Sequence, residues 1–371
     1  MIYADNAATT ALDIDAFEAM KPYLLKEYGN ASQPYSFART AKKALAAARK
    51  TIADCIGAQP EEIFFTSGGT ESDNWAIKGT LQYGDSRSIL TSQIEHHAIL
   101  NACATVERLG YPVSHLWVDK EGIVTPSTLN KVITDNTKLV SIMLVNNEIG
   151  TIEPIKELAE IAHEHRALFH TDAVQAIGHI PVNVDALGVD MLSASAHKFN
   201  GPKGIGFLYV KKGTNIYSFT DGGAQELGMR GGTENVAAIV AMAEALRKNC
   251  AHMDETERRL RKMEDSLIHV LDEAGVDFIR NGADHHVPGN VNISIKNASG
   301  EMLLHRLDLK GICISTGAAC DSVNTQVSHV IQAIAVPEDY AAGTIRISFG
   351  RDNQESDAQE IADAIVNILQ R

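Results

Sequence analysis

No apolar run in the 371-residue chain approaches the roughly 18 residues that a bilayer-spanning helix needs, so a membrane protein is not expected. The N-terminus, MIYADNAATT, has neither a basic n-region nor an apolar h-region. A secretory signal is therefore not expected, and a cytoplasmic location is. Positive charge is scarce: Lys and Arg number 33 against 47 for Asp and Glu, a formal charge of −14. Such a surface repels phosphate backbones and argues against direct nucleic-acid binding. Cysteine is sparse and odd in number, at positions 55, 103, 250, 313 and 320 with no CxxC pair. That pattern disfavours both a disulfide framework and a Cys-rich zinc site, and leaves at least one thiol free. The 14 histidines contain no HExxH or other ligand spacing, so no resident metal is expected. Repeats of 20–50 residues, low-complexity tracts and long Pro/Ser linkers are also missing.

What is present is an ordinary globular composition, 44% hydrophobic and 22% charged, over a length that suggests two or three domains. A short apolar run, a Gly-rich or polar turn and an amphipathic segment recur in that order. Residues 62–66, 88–91, 138–145, 167–172, 191–194 and 206–210 read as strands, and 71–82, 98–109 and 154–166 as helices. Strands alternating with helices of this length imply crossovers, a mostly parallel sheet and ligands at the strand carboxyl ends. Residues 234–273 read as one continuous helical pattern, a plausible hinge. Beyond it, strands at 291–295, 312–315 and 344–348 and a closing helix at 357–369 suggest a smaller α+β domain. The expected division is 15–255 for the large domain, with 1–14 and 256–371 forming the small one.

Three segments carry chemistry. Thr66-Ser67-Gly68-Gly69-Thr70-Glu71-Ser72 lies between a strand and a helix, where glycines allow close approach and the first helical N–H groups attract an anion. It lacks the P-loop lysine and GxGxxG spacing, and alone it fits an ordinary capping turn equally well. Asp172, in HTDAVQ, ends a buried strand and either pairs with a protonated ring nitrogen or caps the next turn. Lys198, in SASAHKFNGPKG, follows a strand and is either a solvated loop cation or a Schiff-base nucleophile. In this order along an α/β chain, the three supply what pyridoxal phosphate needs: a phosphate anchor, a carboxylate for its pyridinium nitrogen and an amine for its aldehyde.

At this point the chain resembles the cysteine desulfurases of the NifS/IscS type, in the class V aminotransferase family of fold type I. The resemblance runs through YADNAATT (3–10), YGNASQPYSFAR (28–39), TSGGTESDN (66–74), EHHAIL (95–100) and VNNEIGTIEPI (145–155). It continues through HTDAVQAIG (170–178), SASAHKFNGPKGIG (193–206), RGGTEN (230–235), PGNVNIS (288–294), STGAAC (315–320) and TIRISFGR (344–351). It implies an α/β fold with a large domain around a mostly parallel sheet of seven strands and a smaller α+β domain. It also implies Lys198 as the Schiff-base lysine, Asp172 at the pyridinium nitrogen and His96 stacked on the ring face, where it also moves protons. Asn147 and Gln175 would bond the ring 3-oxygen. Gly69, Thr70, Ser195 and His197 would hold the phosphate, joined by Thr233 from a partner subunit in a homodimer. Asn147 and Arg346 would bind the substrate, with the Arg346 guanidinium gripping its carboxylate.

Cys320 gives the implied reaction its name. Its STGAACDS setting resembles the loop of group I desulfurases, with Ala318-Ala319 where Ser-Ala is usual, whereas Cys313 in GICIS reads as a buried packing cysteine. By the resemblance, sulfur leaves L-cysteine as a persulfide on Cys320, alanine is released, and the sulfur goes to an acceptor protein of iron–sulfur cluster assembly or tRNA thiolation. Cys320 is also the one candidate for a transient iron–sulfur ligand. IscS-type members have a longer C-terminal tail that helps dock the scaffold, so the ending at Arg371 leaves the acceptor open. Three alternatives stay open beside the desulfurase: a pyridoxal-phosphate C–S lyase, a selenocysteine lyase, and a persulfide carrier or scaffold without turnover.

Overall fold

The buried apolar runs of the first 210 residues line up in one sheet. The computed structural model describes residues 1–82, 86–316 and 327–370. Its first strands are β1 (Ile2–Tyr3), β2 (Ile63–Thr66), β3 (Ser88–Ser92), β4 (Val113–Leu116), β5 (Thr137–Ser141), β6 (Leu168–Asp172), β7 (Met191–Ser195) and β8 (Gly206–Val210). Seven of them form a sheet in the order β2-β8-β7-β6-β5-β3-β4. All run parallel except β8, which is antiparallel to both β2 and β7. The mostly parallel seven-stranded sheet expected from the sequence is therefore present. Because β8 alone is reversed, the carboxyl ends of β2, β3, β5, β6 and β7 open on the same edge.

Helices cover both faces, as a parallel sheet requires. In chain order they are α1 (Ile14–Leu25), α2 (Arg39–Ile56), α3 (Gly69–Gly79), α4 (His97–Arg108), α5 (Pro126–Val132), α6 (Ile155–Glu164), α7 (Val184–Leu187) and α8 (Val236–Ala251). On one face, Phe65, Val140, Phe169 and Leu192 pack against Ile52, Leu158 and Met242 of α2, α6 and α8. On the other, Leu139, Met191 and Leu208 meet Trp75 and Ile77 of α3 and Ile99 of α4. The alternation of side chains along each strand decides which residues face which layer. Odd-numbered Met191, Ser193 and Ser195 of β7 thus share the α3 side.

The helical pattern over 234–273 is not one helix. α8 ends at Ala251 and α9 (Met253–Glu273) starts anew, with His252 between them at φ −114°, ψ 14°. Its N–H bonds back to the carbonyls of Lys248 and Asn249, so the last turn of α8 closes on itself instead of propagating. The remaining elements are β9 (Phe278–Arg280), β10 (Asn290–Ile295), α10 (Gly300–Asp308), β11 (Ile312–Cys313), α11 (His329–Ala333), α12 (Glu338–Ala341), β12 (Thr344–Ser348) and α13 (Glu355–Leu369). An antiparallel sheet β12-β10-β9 buries Val291, Ile293, Ile345 and Ile347 against α9 and α13, a second core. The N-terminal strand β1 joins this part of the molecule by pairing in parallel with β11. Among the described residues, no helix is long and apolar enough to cross a membrane.

Candidate active site

Five loops leave the shared edge of the sheet, and each delivers residues singled out by the sequence. After β2, Gly68 stands before α3 at φ +149°, a conformation that favours glycine, and no side chain caps the helix. The first N–H groups of this 11-residue helix, at Gly69 and Thr70, therefore point outward with the positive end of the helix dipole behind them. A Cβ at Gly69 would stand 2.7 Å from Val174 Cγ2, so only glycine lets the turn nest against the loop after β6. Ser195, the last residue of β7, is beside it: its Oγ is 3.5 Å from where a Cβ on Gly68 would lie. This cradle of backbone donors and a hydroxyl fits a phosphate.

After β7, Ala196-His197-Lys198 makes a single tight turn. The Lys198 Nζ donates to the carbonyls of Ala7 at 2.6 Å and Ala8 at 2.9 Å. The turn is fixed from below, where His179 Nε2 meets the Lys198 carbonyl at 2.9 Å and Asn249 Nδ2 donates to the Phe199 carbonyl at 3.1 Å. His197 Nδ1 lies 3.1 Å from Thr9 Oγ1. Burial, then the charges of Lys198 and Lys203, push its pKa down to about 4. A neutral imidazole beside the phosphate cradle is the result.

After β6, Asp172 Oδ1 accepts from the Val174 N–H at 2.9 Å. Of the two readings left open by the sequence, the cap is present, and the carboxyl stands at the same sheet edge as Lys198. Burial pushes the Asp172 carboxyl up, against the opposing pull of the Val174 N–H and of Lys198. Gln175, three residues on, donates through Nε2 to the Ala7 carbonyl at 2.9 Å. After β3, His96 is the N-cap of α4, with Nδ1 accepting from the Ala98 N–H at 3.1 Å. That bond places the ring proton on Nε2. Burial, followed by Lys198, His97 and His329, lowers the His96 pKa to about 4, so at neutral pH it is an uncharged donor. To take up a proton it must first release the helix.

Asn147 follows β5, and its carbonyl accepts from Arg346 Nη1 at 2.8 Å. Arg346, on β12, is 3% exposed, and its Nη2 donates to Asp5 Oδ1 at 2.7 Å. Its buried Nε has no hydrogen-bond partner, an orphan donor that a substrate carboxylate would satisfy. The arrangement puts a fixed guanidinium from the second core against the large sheet's edge. Thr233 lies exposed in the loop before α8. That loop is tied to the phosphate turn through Arg230, whose Nε donates to Glu71 Oε1 at 2.8 Å. Burial alone would raise the Glu71 pKa, yet Arg230 and the Ser67 N–H hold it below the usual range. Cys320 falls outside the described residues. Cys313 is half-buried rather than buried, at the register partner of Tyr3 in the β1–β11 ladder.

Asp5, Ala7 and Ala8 lie within a matched motif but carry no expected role from the sequence. Their contribution is mostly through backbone carbonyls, which leave no side-chain signature. The Glu71–Arg230 pair was accessible as opposite charges in two matched motifs. His179 and Asn249 carry no signal that separates them from ordinary turn and helix residues.

Comparisons with known proteins agree with this geometry. The family described as aminotransferase class-V matches residues 2–361. The chain is 47% identical to "Cysteine desulfurase IscS" of Dictyoglomus turgidum, over 100% of this chain and 95% of that protein. It is 46% identical to the protein of the same name from Methanosarcina thermophila, over 100% and 92%. Among solved structures, a NifS-like protein superposes with a TM-score of 0.94 at 36% identity, covering 100% of this chain and 99% of that one. The structure titled "SspA in complex with cysteine" does so with a TM-score of 0.85 at 35% identity, covering 94% and 99%. The chain belongs to the aminotransferase class-V family, whose members depend on pyridoxal phosphate, and within it to the cysteine desulfurases of the IscS/NifS kind.

Proposed function

We propose that this site removes sulfur from L-cysteine with pyridoxal phosphate, leaving alanine and a persulfide on Cys320 that passes to an acceptor protein. The observation that carries the reading is one of placement. An uncapped helix N-terminus, a buried aspartate and a lysine stand at three strand ends of one sheet edge, with a half-satisfied buried arginine facing them from the second core. When bound, pyridoxal phosphate supplies an electron sink that labilises the bonds at the substrate Cα and Cβ. Gly69, Thr70, Ser195 and His197 hold its phosphate, and Asp172 pairs with its ring nitrogen. Gln175 and Asn147 would hold its ring oxygen, and the Lys198 amine, fixed by the Ala7 and Ala8 carbonyls, would hold its aldehyde carbon. His96, uncharged, would cover the ring face, with its proton on Nε2.

The sulfur step balances within the two partners. The Cys320 thiolate forms an S–S bond to the substrate sulfur as the Cβ–S bond breaks with its electron pair left on carbon. Protons then complete the methyl group of alanine, so sulfur is oxidised to the sulfane level while Cβ is reduced. No outside oxidant enters. Product identity tests this: one alanine per protein-bound sulfur is expected, whereas pyruvate, ammonia and free sulfide would make the protein a C–S lyase.

Arg346 is assigned to the substrate carboxylate. Arg346→Lys, which keeps a charge but loses the planar fork, is expected to raise KM for L-cysteine on the order of 100-fold and leave the cofactor spectrum intact. Loss of the cofactor in that variant would make Arg346 a structural residue held by Asp5. The working unit is a homodimer in the cytoplasm, its large domain at 15–255 and its small domain formed by 1–14 and 256–371. In this dimer Thr233 reaches the partner's phosphate. A mixed dimer of a Thr233→Ala subunit with a Lys198→Ala subunit should then keep half the activity of the unaltered dimer, because one site inherits both defects and the other neither. Half the activity of the Thr233→Ala homodimer would instead place the threonine in its own subunit's site.

A further inference from the structure

Behind Asp172, the sheet face under α3 carries buried polar groups that the proposed chemistry leaves unused. His170 and Asp172 are two residues apart on β6 and share that face, roughly 7 Å from each other along the strand. Ser141 on β5 is the register partner of His170, and Ser193 on β7 is that of Asp172. The His170 ring bridges the two strands, Nδ1 at 2.9 Å from Ser141 Oγ and Nε2 at 2.9 Å from Ser193 Oγ. α3 lays Asp73 over this chain, with Oδ1 at 3.9 Å from His170 Nε2. Asp73 is 1% exposed, and its Oδ1 has no hydrogen-bond partner.

Two carboxyls that share one buried face, with no water to screen them, do not both ionise. The surroundings decide which one does. Asp172 sits at the strand end, accepts the Val174 N–H and feels the Lys198 ammonium, all of which favour its anion. Asp73 is enclosed, one of its oxygens lacks any donor, the Ser193 hydroxyl alone favours its anion, and among the described residues no cation pairs with it. His170 supplies no compensating charge, because burial drives its pKa down to about 3. Glu95, on the turn between β3 and α4, also faces the group; burial raises its pKa to about 8, so it adds little negative charge at neutral pH. Burial and the nearby Asp172 both drive the Asp73 carboxyl well above the usual range.

We propose that Asp73 and Asp172 act as one pair holding a single negative charge, in which Asp73 keeps the proton beside the Ser141–His170–Ser193 chain and Asp172 is left as the only anion at the ring nitrogen. Asp73 is thus a positioning residue that acts through Asp172, and the inference rests on the assignment of Asp172 to the cofactor. It also implies a reserve: if Asp172 is made neutral, Asp73 loses its charged neighbour, gives up its proton and becomes the substitute anion.

The test is a double-mutant cycle read as the Kd of pyridoxal phosphate for the apo-protein, for the unaltered chain, D73N, D172N and D73N/D172N. D73N alone should change Kd less than about threefold and leave the pH at which the loaded protein's visible band shifts in place, since an amide replaces a neutral acid. D172N should raise Kd on the order of 100-fold. Adding D73N to D172N should cost about a further tenfold, the equivalent of one pKa unit of lost charge interaction. The same factor for D73N in both backgrounds, or a band shifted in D73N alone, would overturn the shared charge. An unchanged Kd in D172N is a different failure, that of the Asp172 assignment itself. If D73N does not fold, carbon-13 NMR of aspartate-labelled protein needs no change at residue 73. One aspartate should stay protonated at pH 8 and ionise in D172N; finding every aspartate ionised in the unaltered chain would end the proposal.

Discussion

Cys320→Ser is expected to leave the protein yellow and able to bind L-cysteine, while alanine formation falls by roughly 10⁴-fold or more, since losing a nucleophile costs about 10⁶-fold in a serine protease. Serine has nearly the same shape, but its oxygen has a far higher pKa and cannot accept sulfur as a thiolate does. Of the remaining cysteines, Cys103, Cys55 and Cys313 do not offer a substitute. Burial, then the charges of Glu95 and Glu107, push the Cys103 thiol up to about 12. The Cys55 thiol is raised by its contact with Cys250 and by burial. Cys313 is tied into a ladder, where its carbonyl accepts the Ala4 N–H at 2.9 Å, so it is not free to travel to a substrate. Cys313→Ser should lose little activity. Sulfur-35 cysteine followed by peptide mapping reads the result directly. Label on Cys313, or full alanine production by Cys320→Ser, would make Cys320 incidental to the reaction.

The strands of the large sheet were legible because a strand buried on both faces reads as an unbroken apolar run. Residues 206–210 and 344–348 match β8 and β12 to the residue, and 191–194 falls one short of β7. Two edge strands, β4 and β9, were not legible. β4 (VSHL) leaves Ser114 and His115 exposed, and β9 is three residues of which none is buried, so neither has an apolar run to detect. The break at His252 escaped because no Gly or Pro marks it. Its cause is a local closure of the α8 end, which helix-forming composition on both sides conceals.

Within the site, legibility followed the kind of atom used. Lys198 and Asp172 carry side chains whose chemistry is unusual at a strand end, and the sequence offers them as candidates, whereas Arg346 enters through the resemblance alone. Ala7 and Ala8 act through carbonyls and look like filler. Asp73 and His170 are harder still, since a polar residue within a helix or strand reads as a solvated position until the layers are stacked. Only the pairing of β5, β6 and β7 under α3 puts them beside each other. The same stacking explains how one face can be an apolar core under Trp75 and a polar pad near the strand ends.

Lys198→Ala is expected to be as severe as Cys320→Ser, but for a different reason and with a different signature. The Lys198 Nζ is held in place by the Ala7 and Ala8 carbonyls, and its turn is pinned by His179 and Asn249. That amine is therefore delivered to one point at the sheet edge, beside a carboxylate and two imidazoles kept neutral by burial and by Lys198 itself. Alanine leaves the phosphate cradle and Asp172 untouched, so the cofactor should still bind, yet without a covalent link and with its spectrum shifted to that of the free aldehyde. Turnover should fall on the order of 10⁴-fold, and a small external amine should restore part of it by occupying the vacated volume. Borohydride treatment of the unaltered protein should fix the cofactor on Lys198, and treatment of Lys198→Ala should fix none. Lys203 is the control, because it lies in the same Gly/Pro loop but carries none of these backbone restraints. A reduced adduct mapped to Lys203, or a variant that still forms alanine at the original rate, would remove Lys198 from the reaction and with it the ordering of the whole sheet edge around one amine.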